Sequence, residues 1–315
     1  MQSLVVSCLV VLATVGGPPL VVGHRGNGAD RPRNPYPENS LPAIAAGFAE
    51  GADLVEIDVQ LTADDRIVLW HDEHVRVDPA RRVRVRDVQY AELPWRREPE
   101  GFAAHVPTLD EALVLCLQSA EGRRVLDIEL KVYGDAVREP LAEAVLERVL
   151  AFDAVSRVLV TSMDREVLAY LEHRLPALET GWIAGTPSID WPRFIRWRRQ
   201  CGARVDWFVA RYGRLPLGTT SQRLIREAHQ NGVRIGLWTV NDPLAVRRLA
   251  AAGCDLLITD EVASTRAAVG MGQAVPFPSI TAPWSVGSEP AALEEVPYEV
   301  VEPRPDPRSG VGGGS

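Results

Sequence analysis

The sequence predicts an α/β fold, a (β/α)8 TIM barrel with a small insertion after the second strand. Short β-branched segments alternate with helical patterns from Leu20 to about Gly270 in this chain of 315 residues, which is typical of a parallel sheet flanked by helices. Nine segments resemble strands, one more than the barrel needs. Only Thr62 to Arg66 separates the second from the third, too few residues for a parallel crossover. These two therefore form an antiparallel hairpin, and eight helix-connected strands remain.

The individual elements follow from residue patterns along the chain. Strands are predicted at 20–24, 54–60, 67–70, 124–130, 157–161, 179–183, 205–209, 233–239 and 255–259. Helices are predicted at 38–50, 108–119, 139–152, 164–174, 191–201, 219–231, 242–252 and 262–269. Asn39-Ser40 and Asp242-Pro243 are typical helix starts. Glycine ends three of the helical patterns, at Gly51, Gly232 and Gly253.

Composition divides the chain into three parts. Residues 1–18 form an apolar leader, and residues 19–270 carry the barrel pattern with its insertion at about 62–106. Residues 271–315 are rich in Pro, Gly and Glu, which predicts a disordered tail. With 46% hydrophobic and 24% charged residues, the whole chain has an ordinary globular composition.

The charge balance argues against nucleic acid as a partner. Lys plus Arg is 34 and Asp plus Glu is 42, for a formal net charge of -8, whereas nucleic-acid binders carry a basic domain or stripe. The arginine run at 81–86 is too short to change this and is predicted to be a solvated loop. Lys131 is the only lysine among the 34 basic residues, which makes its position unusual.

The leader leaves two predictions for the localisation. Its apolar run at 4–15 is too short to span a bilayer. No basic residue precedes the run and no A-x-A site follows it, so a short helix or a frayed leader that covers the barrel bottom is favoured over a cleaved signal. Four scattered cysteines without a CxxC pair favour a reducing compartment. We predict a cytoplasmic protein without a stable transmembrane span. The alternative is a secreted protein or one associated with a membrane through residues 1–18. No pattern predicts the oligomeric state.

Two carboxylates lie on one face of the second predicted strand. Glu56 and Asp58 are two residues apart, so both point to the same side, while the alternating Val55, Ile57 and Val59 suit the side that packs on helices. Glu56 and Asp58 therefore point into the barrel, where unpaired charges are costly. Barrel arginines could neutralise them, or they could hold a hard divalent cation, which prefers oxygen ligands. We favour the cation.

Histidines follow two of the strands. His24 comes directly after the first strand and precedes Arg25 and Gly26, which offer a guanidinium fork for phosphate and room for the backbone. His71 follows the hairpin strand, so the insertion could deliver its imidazole over the barrel mouth. Either histidine could instead be structural. If both are functional, they can serve as general acid and general base near neutral pH.

The strand predicted at 124–130 extends this group. Asp127, Glu129 and Lys131 share one face, so Glu129 supplies a third carboxylate at the mouth and Lys131 a point charge beside it. Three carboxylates, two histidines and an arginine form an assembly suited to phosphoryl chemistry. Trp238, at the end of a later strand, is predicted either as a hydrophobic wall for the substrate or as a core residue.

In this order, the motifs resemble those of the glycerophosphodiester phosphodiesterase family, within the wider group of phospholipase-C-like barrels. The resemblance spans about residues 20–268. It rests on His24-Arg25-Gly26, Pro37-Glu38-Asn39-Ser40, the segment 51–59, His71-Asp72, Pro107-Thr108-Leu109 with Glu111, Ile128-Glu129-Leu130-Lys131, Thr161-Ser162-Met163-Asp164, Trp238-Thr239-Val240-Asn241 and Ile258-Thr259-Asp260.

The resemblance implies roles for the candidate residues. One divalent cation, Mg or Ca, would be held by Glu56, Asp58 and Glu129. The two histidines would be the acid/base pair, and Arg25 and Lys131 would contact the phosphate. Glycerophosphodiesters would be cleaved to glycerol 3-phosphate and an alcohol. The insertion departs from the family pattern, so the resemblance does not define the alcohol.

Two further hypotheses keep the barrel but change the ligand or the activity. A lysophospholipase-D-like or sphingomyelinase-D-like enzyme would need an apolar channel at the mouth. Trp70, Trp95, Trp182 and Trp238 could line it, although core packing explains most tryptophans. A non-catalytic phosphodiester-binding barrel would usually have lost a histidine or a carboxylate, and none of the five is missing here. We therefore predict a glycerophosphodiester as substrate, with a lysophospholipid as the alternative. The nucleophile is either water or the neighbouring glycerol hydroxyl.

Overall fold

The computed structural model describes residues 17–30, 34–94, 96–97, 103–119, 125–214 and 219–270. The tail from 271 onward, Trp95, and the leader except for Gly17 and Pro18 lie outside the described residues. The predictions that concern these segments, including the localisation, therefore stay predictions. No helix within the described ranges is both long enough and apolar enough to cross a membrane.

Eight parallel strands close into a barrel, which confirms the predicted fold. In chain order the strands are β1 Leu20–Gly23, β2 Leu54–Leu61, β3 Ile67–Leu69, β4 His74–Arg76, β5 Arg82–Arg84, β6 Arg96–Arg97, β7 Ala103–Ala104, β8 Leu126–Leu130, β9 Val158–Ser162, β10 Glu179–Ala184, β11 Trp207–Arg211, β12 Arg234–Trp238 and β13 Leu256–Thr259. Around the barrel the order is β1, β2 and then β8 to β13, and β13 pairs with β1 to close the sheet.

Seven of the described helices lie in the connections between successive barrel strands, and the eighth follows the last strand. They are α1 Leu41–Ala49, α2 Leu109–Ser119, α3 Arg138–Ala151, α4 Arg165–Arg174, α5 Pro187–Cys201, α6 Thr219–Gln230, α7 Pro243–Ala251 and α8 Val262–Val269. Two predicted helix starts are capped by polar side chains: Ser40 accepts a hydrogen bond from the Ala43 amide, and Asp242 accepts from two amides of its own first turn. Helix α5 begins at 187 rather than at 191, because the first helical turn accommodates Pro187.

The insertion after β2 is built from short antiparallel pairs. Strand β3 pairs with β2, with Val59 opposite Leu69, so the predicted hairpin is present. Strand β4 pairs with β5, and β6 with β7. The arginine run at 81–86 was predicted as a loop, and this is wrong in part. Its central residues form β5, whose arginine side chains are exposed because the small hairpin faces solvent. The insertion has its own buried cluster, formed by Val68, Val75, Val85, Val88, Leu93 and Val106.

The barrel wall separates two hydrophobic layers. Outward side chains of β2, namely Val55, Ile57 and Val59, are buried against the helices. A smaller apolar cluster lies inside the barrel and consists of Val22, Leu54, Leu159, Ile183, Trp207, Val209, Leu256 and Ile258. Since successive strand residues face opposite ways, the polar residues that alternate with 55, 57 and 59 point inward. They lie above the apolar cluster, at the carboxyl ends of the strands.

Candidate active site

Three carboxylates from two neighbouring strands meet at the carboxyl end of the barrel. The parallel register of β2 and β8 sets Asp58 beside Glu129. One oxygen from each of Glu56, Asp58 and Glu129 lies within 4.8 Å of the others, and all three residues are buried. Asp127, on the same face of β8, lies deeper, where it accepts a hydrogen bond from the Thr161 hydroxyl at 2.7 Å. Strand alternation and register thus bring three inward carboxylates to one point.

Lys131 neutralises part of this negative charge. Its Nζ lies 2.6 Å from Glu129 Oε1 and 2.9 Å from Asp58 Oδ1. Burial opposes ionisation of Asp58, but the charges of Lys131 and Arg25 outweigh it and hold the pKa of that carboxyl well below its usual range. Burial also disfavours the charged lysine, yet the attraction of Asp58 and Glu129 leaves the pKa of Lys131 raised. One cation is therefore shared between two of the three carboxylates.

Glu56 is the third carboxylate of the group and lies outside the ion pairs that Lys131 forms with Asp58 and Glu129. Its Oε2 accepts a hydrogen bond from the Arg25 amide at 2.8 Å, whereas its Oε1 is buried without a hydrogen-bond partner in the described part of the chain. Burial first, and then the charges of Asp58 and Glu129, raise the pKa of Glu56 well above its usual value. Buried acceptors are nearly always satisfied in folded proteins. An oxygen-ligated divalent cation fits this group, because it would satisfy the bare oxygen and offset the surplus negative charge.

Arg25 neutralises the inward carboxylates only in part, which was the alternative prediction to a cation. Its Nε lies 3.5 Å from Asp58 Oδ2, but its Nη1 donates to both oxygens of Glu38, at 2.8 and 2.9 Å. Asn39 holds Asp58 as well, donating to Oδ2 at 2.8 Å and accepting from the Asp58 amide at 3.0 Å. The roles of Glu38 and Asn39 escaped sequence reasoning, because both belong to the connection before α1, where strand periodicity carries no information.

The connection after β1 holds His24 at the same end of the barrel. Its Nδ1 lies 2.7 Å from Asp260 Oδ1, and Asp260 Oδ2 accepts from Asn241 Nδ2 at 2.8 Å. Burial disfavours the ionised form of Asp260, but the hydrogen bond and the charge of His24 outweigh it and lower the pKa of Asp260. An ionised carboxylate on Nδ1 orients the ring and leaves Nε2 for chemistry. Gly26 allows this connection to pack on α1, since a Cβ there would lie 2.8 Å from Ala43 Cβ.

His71 lies at the mouth, just after hairpin strand β3. The Trp70 amide donates to the Asp58 carbonyl oxygen at 2.9 Å, which ties the residue next to it, His71, to the strand that carries two of the carboxylates. His71 Nδ1 lies 2.8 Å from Asp72 Oδ1, and the imidazole is 30% exposed. Its charge lowers the pKa of Asp58, although burial of that carboxyl is the larger, opposing influence. The insertion therefore brings a second imidazole to the carboxylate group.

Trp238 has features of both predicted alternatives, a wall that faces the substrate and a core residue. It is partly exposed at the end of β12 and also packs on the apolar cluster inside the barrel. The guanidinium of Arg211 lies 5.5 Å from its ring centroid. Trp182, by contrast, is buried beside Phe194 and Phe208. It is a core residue and does not line the mouth, because the alternation of β10 turns it toward α5.

Comparison with known proteins points to one family. Residues 24–264 match the model of the glycerophosphoryl diester phosphodiesterase family. A glycerophosphodiester phosphodiesterase of Caldanaerobacter subterraneus is 27% identical over 252 residues, which are 77% of this chain and 94% of that protein. The crystal structure of the glycerophosphodiester phosphodiesterase from Thermotoga maritima superimposes with a TM-score of 0.59 at 26% identity, covering 78% of this chain and 96% of that one.

A further solved structure shares the fold at lower identity. It is a phosphodiesterase of Oleispira antarctica in complex with sn-glycerol-3-phosphate, with a TM-score of 0.65 and 20% identity over 80% of this chain and 96% of that one. The family match covers most of the chain, so the protein belongs to the glycerophosphoryl diester phosphodiesterase family. It is a phosphoric diester hydrolase with a small-molecule glycerophosphodiester substrate. The alternative of a non-catalytic barrel is therefore set aside.

Proposed function

We propose that this enzyme hydrolyses glycerophosphodiesters to glycerol 3-phosphate and an alcohol with the help of one divalent cation, Mg or Ca, held by Glu56, Asp58 and Glu129. The observation that carries the proposal is the buried Oε1 of Glu56, which has no hydrogen-bond partner among the described residues and belongs to a compact three-carboxylate group. Such a cation would supply positive charge that polarises the phosphoryl oxygens. The complex of the Oleispira antarctica phosphodiesterase with sn-glycerol-3-phosphate supports glycerol 3-phosphate as a product.

His24 and His71 form the proposed acid/base pair. One imidazole, in its neutral form, accepts the proton of the attacking hydroxyl as the new bond to phosphorus forms. The other, in its protonated form, donates a proton to the alcohol oxygen as the bond from phosphorus to that oxygen breaks. The attacking group is water, or the neighbouring glycerol hydroxyl, in which case water opens a cyclic phosphate in a second step. The Nδ1 contacts with Asp260 and Asp72 support these roles, because they leave the Nε2 atoms for proton transfer.

Arg25, Lys131 and Trp238 are the proposed substrate-binding residues. The Arg25 guanidinium and the Lys131 ammonium would face the phosphate and stabilise the negative charge of the pentavalent phosphorus. Their ion pairs with Glu38, Asp58 and Glu129 support this role, because they hold both cations in place before substrate arrives. The partly exposed face of Trp238 would form an apolar wall for the alcohol.

A single assay series tests the proposal. The purified protein is treated with a chelator, dialysed, and supplied with Mg2+ or Ca2+ alone, and release of glycerol 3-phosphate is measured from glycerophosphocholine, glycerophosphoethanolamine and glycerophosphoglycerol. We expect activity to vanish on chelation, because the carboxylates then lose the positive charge of the proposed cation. Activity should return when one of the two ions is added. Phosphorus NMR during turnover distinguishes a cyclic intermediate from direct attack by water. Full turnover in the presence of chelator would overturn the proposed cation.

A lysophospholipid is the second candidate substrate, and one observation favours it. Among the described residues, the exposed large hydrophobic side chains are Val114, Tyr133, Met163 and Leu244. Three of the four follow β8, β9 and β12, so they lie on the mouth side of the barrel, where an acyl chain would leave the site. Lysophosphatidylcholine therefore belongs in the same assay series. Turnover of this lipid above that of glycerophosphocholine would make it the preferred substrate.

A further inference from the structure

Two polar side chains continue the rows that supply the carboxylates. Gln60 follows Asp58 on β2 at the spacing of two residues that keeps side chains on one face. Tyr133 follows Glu129 and Lys131 at the same spacing, just beyond the end of β8. Gln60 is buried, whereas Tyr133 is partly open to solvent. Both residues therefore lie beyond the proposed cation ligands in the direction in which β2 and β8 run.

Both side chains bind the main chain of the segment that carries His71. Gln60 Nε2 donates to the carbonyl oxygen of Trp70 at 2.7 Å and to that of Asp72 at 2.8 Å. The Tyr133 hydroxyl donates to the carbonyl oxygen of His71 itself at 2.7 Å. Three successive carbonyl groups are thus held by the side chains of Gln60, on β2, and Tyr133, beyond the end of β8.

The side chains of the segment that carries His71 reach solvent. The His71 side chain is 30% exposed and that of Asp72 is 65% exposed, and exposed connecting segments are the mobile parts of a fold. The Tyr133 hydroxyl stays a donor at all physiological pH values. Burial, which outweighs the opposing charge of Lys131, raises the pKa of Tyr133 to about 12. The hydrogen bond from Tyr133 therefore does not depend on a titration near neutral pH.

We infer that Gln60 and Tyr133 are positioning residues that hold the imidazole of His71 in the geometry its proton transfer requires. The inference rests on the proposed function, in which His71 is one of the acid/base pair. Proton transfer needs hydrogen-bond geometry between the imidazole and the reacting oxygen, and a displacement of about 1 Å can cost about 100-fold in rate. Gln60 and Tyr133 together are called the His71 clamp below.

The His71 clamp attaches this segment of the insertion to the barrel, close to the proposed cation ligands. Gln60 lies on β2 two residues beyond Asp58, and Tyr133 lies four residues beyond Glu129, after the end of β8. The main chain around His71 is therefore held by a residue of β2 and by a residue that directly follows β8. Groups held on regular elements keep their position better than groups held on loops alone.

Two substitutions test the inference and two others serve as controls. Tyr133→Phe and Gln60→Met remove the donors while keeping the approximate size of each side chain. Tyr170→Phe is the matched control for the tyrosine, because its hydroxyl donates to Glu143 between α4 and α3, away from the mouth. Gln230→Met on the exposed face of α6 is the control for the glutamine. Each variant is also built in a His71→Ala background.

The measurements are kcat and KM for glycerophosphocholine, the thermal unfolding midpoint, and the affinity for Mg2+ and Ca2+ by calorimetry without substrate. We expect each clamp variant to lose about 10- to 100-fold in kcat, with KM and cation affinity within about twofold of wild type. Both controls keep wild-type kinetics. In the His71→Ala background, neither clamp substitution should lower the residual kcat further, because no imidazole remains to be displaced.

The outcomes separate this inference from the proposed function. A large loss of kcat in His71→Ala together with wild-type kcat in both clamp variants would overturn the inference and leave the proposed role of His71 intact. Full activity of His71→Ala would overturn that role and the inference with it. Equal losses of kcat from the clamp substitutions with and without His71 would also overturn the inference, because Gln60 and Tyr133 would then act independently of the imidazole. Should Gln60→Met fail to fold, Tyr133→Phe still decides, because Tyr133 lies at the surface.

Discussion

The two ends of the barrel interior both bury charge, but in opposite ways. At the amino end, Glu179 accepts a hydrogen bond from Trp207 Nε1 at 2.8 Å and forms an ion pair with Arg234. The guanidinium of Arg234 lies 4.3 Å from the centroid of the Trp207 ring. At this end, one acidic side chain is thus paired with one basic side chain. At the carboxyl end, three carboxylates face one close lysine, and one oxygen of Glu56 has no hydrogen-bond partner in the described part of the chain.

The difference separates charges that are balanced within the fold from charges that suit the proposed divalent cation. A matched ion pair needs no further partner, although its net contribution to stability is small because the ions lose part of their hydration. An unmatched acidic group is costly in the folded protein, and such local violations concentrate at functional sites. In barrels of this kind, reacting groups lie at the carboxyl ends of the strands. The contrast between the two ends therefore predicts different responses to the same substitution.

Glu56→Gln should produce the largest effect, in opposite directions for activity and stability. Turnover should fall by about 100-fold, because the substitution removes one carboxylate of the proposed cation site. The free energy of unfolding of the cation-free protein should rise by about 1–3 kcal/mol, because the amide removes a buried charge. Denaturant unfolding in chelator and kinetic assays at saturating Mg2+ or Ca2+ measure the two effects. Loss of stability together with loss of activity would contradict this interpretation of the carboxyl end.

Glu179→Gln is the matched control at the amino end. The same substitution there leaves Arg234 without its carboxylate. Because Arg234 is partly exposed, the free energy of unfolding should fall by only about 1–3 kcal/mol. Both kcat and KM should stay within about twofold of wild type, since no reacting group lies at that end. A loss of turnover comparable to that of Glu56→Gln would remove the distinction between the two ends.

Lys131→Arg should have an intermediate effect, confined to activity. The ammonium lies within 2.9 Å of both Asp58 and Glu129 and is only 10% exposed. The wider guanidinium would push these carboxylates apart, so we expect kcat/KM to fall about 10-fold. The reverse change at the surface, Arg223→Lys, is the control, because Arg223 is 75% exposed and pairs with Glu227. Equal kinetics in the two variants would show that the lone lysine reflects composition alone.

Asp260→Asn should have a small and pH-dependent effect on stability, because Asp260 is a carboxylate at the carboxyl end that is already paired with His24. Burial raises the pKa of Asp260, but the hydrogen bond and charge of His24 outweigh it and lower the pKa. The unfolded chain therefore binds more protons near pH 4, so the stabilisation is present above about pH 4 and is lost as the pH falls further. The deficit of the variant in unfolding free energy should be roughly 1 kcal/mol at about pH 6 and shrink by about pH 3. A deficit that is constant across a pH series of denaturant unfolding would contradict this.

The fold and the centre of the site could be predicted because both depend on short-range patterns. Alternation along β2 and β8 determines that Glu56, Asp58 and Glu129 face the barrel interior. The short connection at 62–66 excludes a parallel pair and so reduces the strand count to eight. Neither conclusion needs any knowledge of how distant segments pack.

Contacts between distant segments could not be predicted in the same way. Asp260 reaches His24 across 236 positions of the chain, and no local pattern relates the two. Gln60 and Tyr133 do continue the inward rows, so a signal for them was present in the sequence. Their acceptors, however, are main-chain carbonyls of a segment whose path no side-chain pattern predicts.

By itself, the sequence determined the barrel, the inward rows of charged residues and the chemistry that those residues can perform, because strand periodicity and residue type are local properties. Only the tertiary structure decided that Lys131 is shared by Asp58 and Glu129 and that the His71 segment is held at three carbonyl groups. It also decided that Glu56 has a buried oxygen without a hydrogen-bond partner among the described residues. Burial and the choice of partner atom depend on how distant parts of the chain pack together.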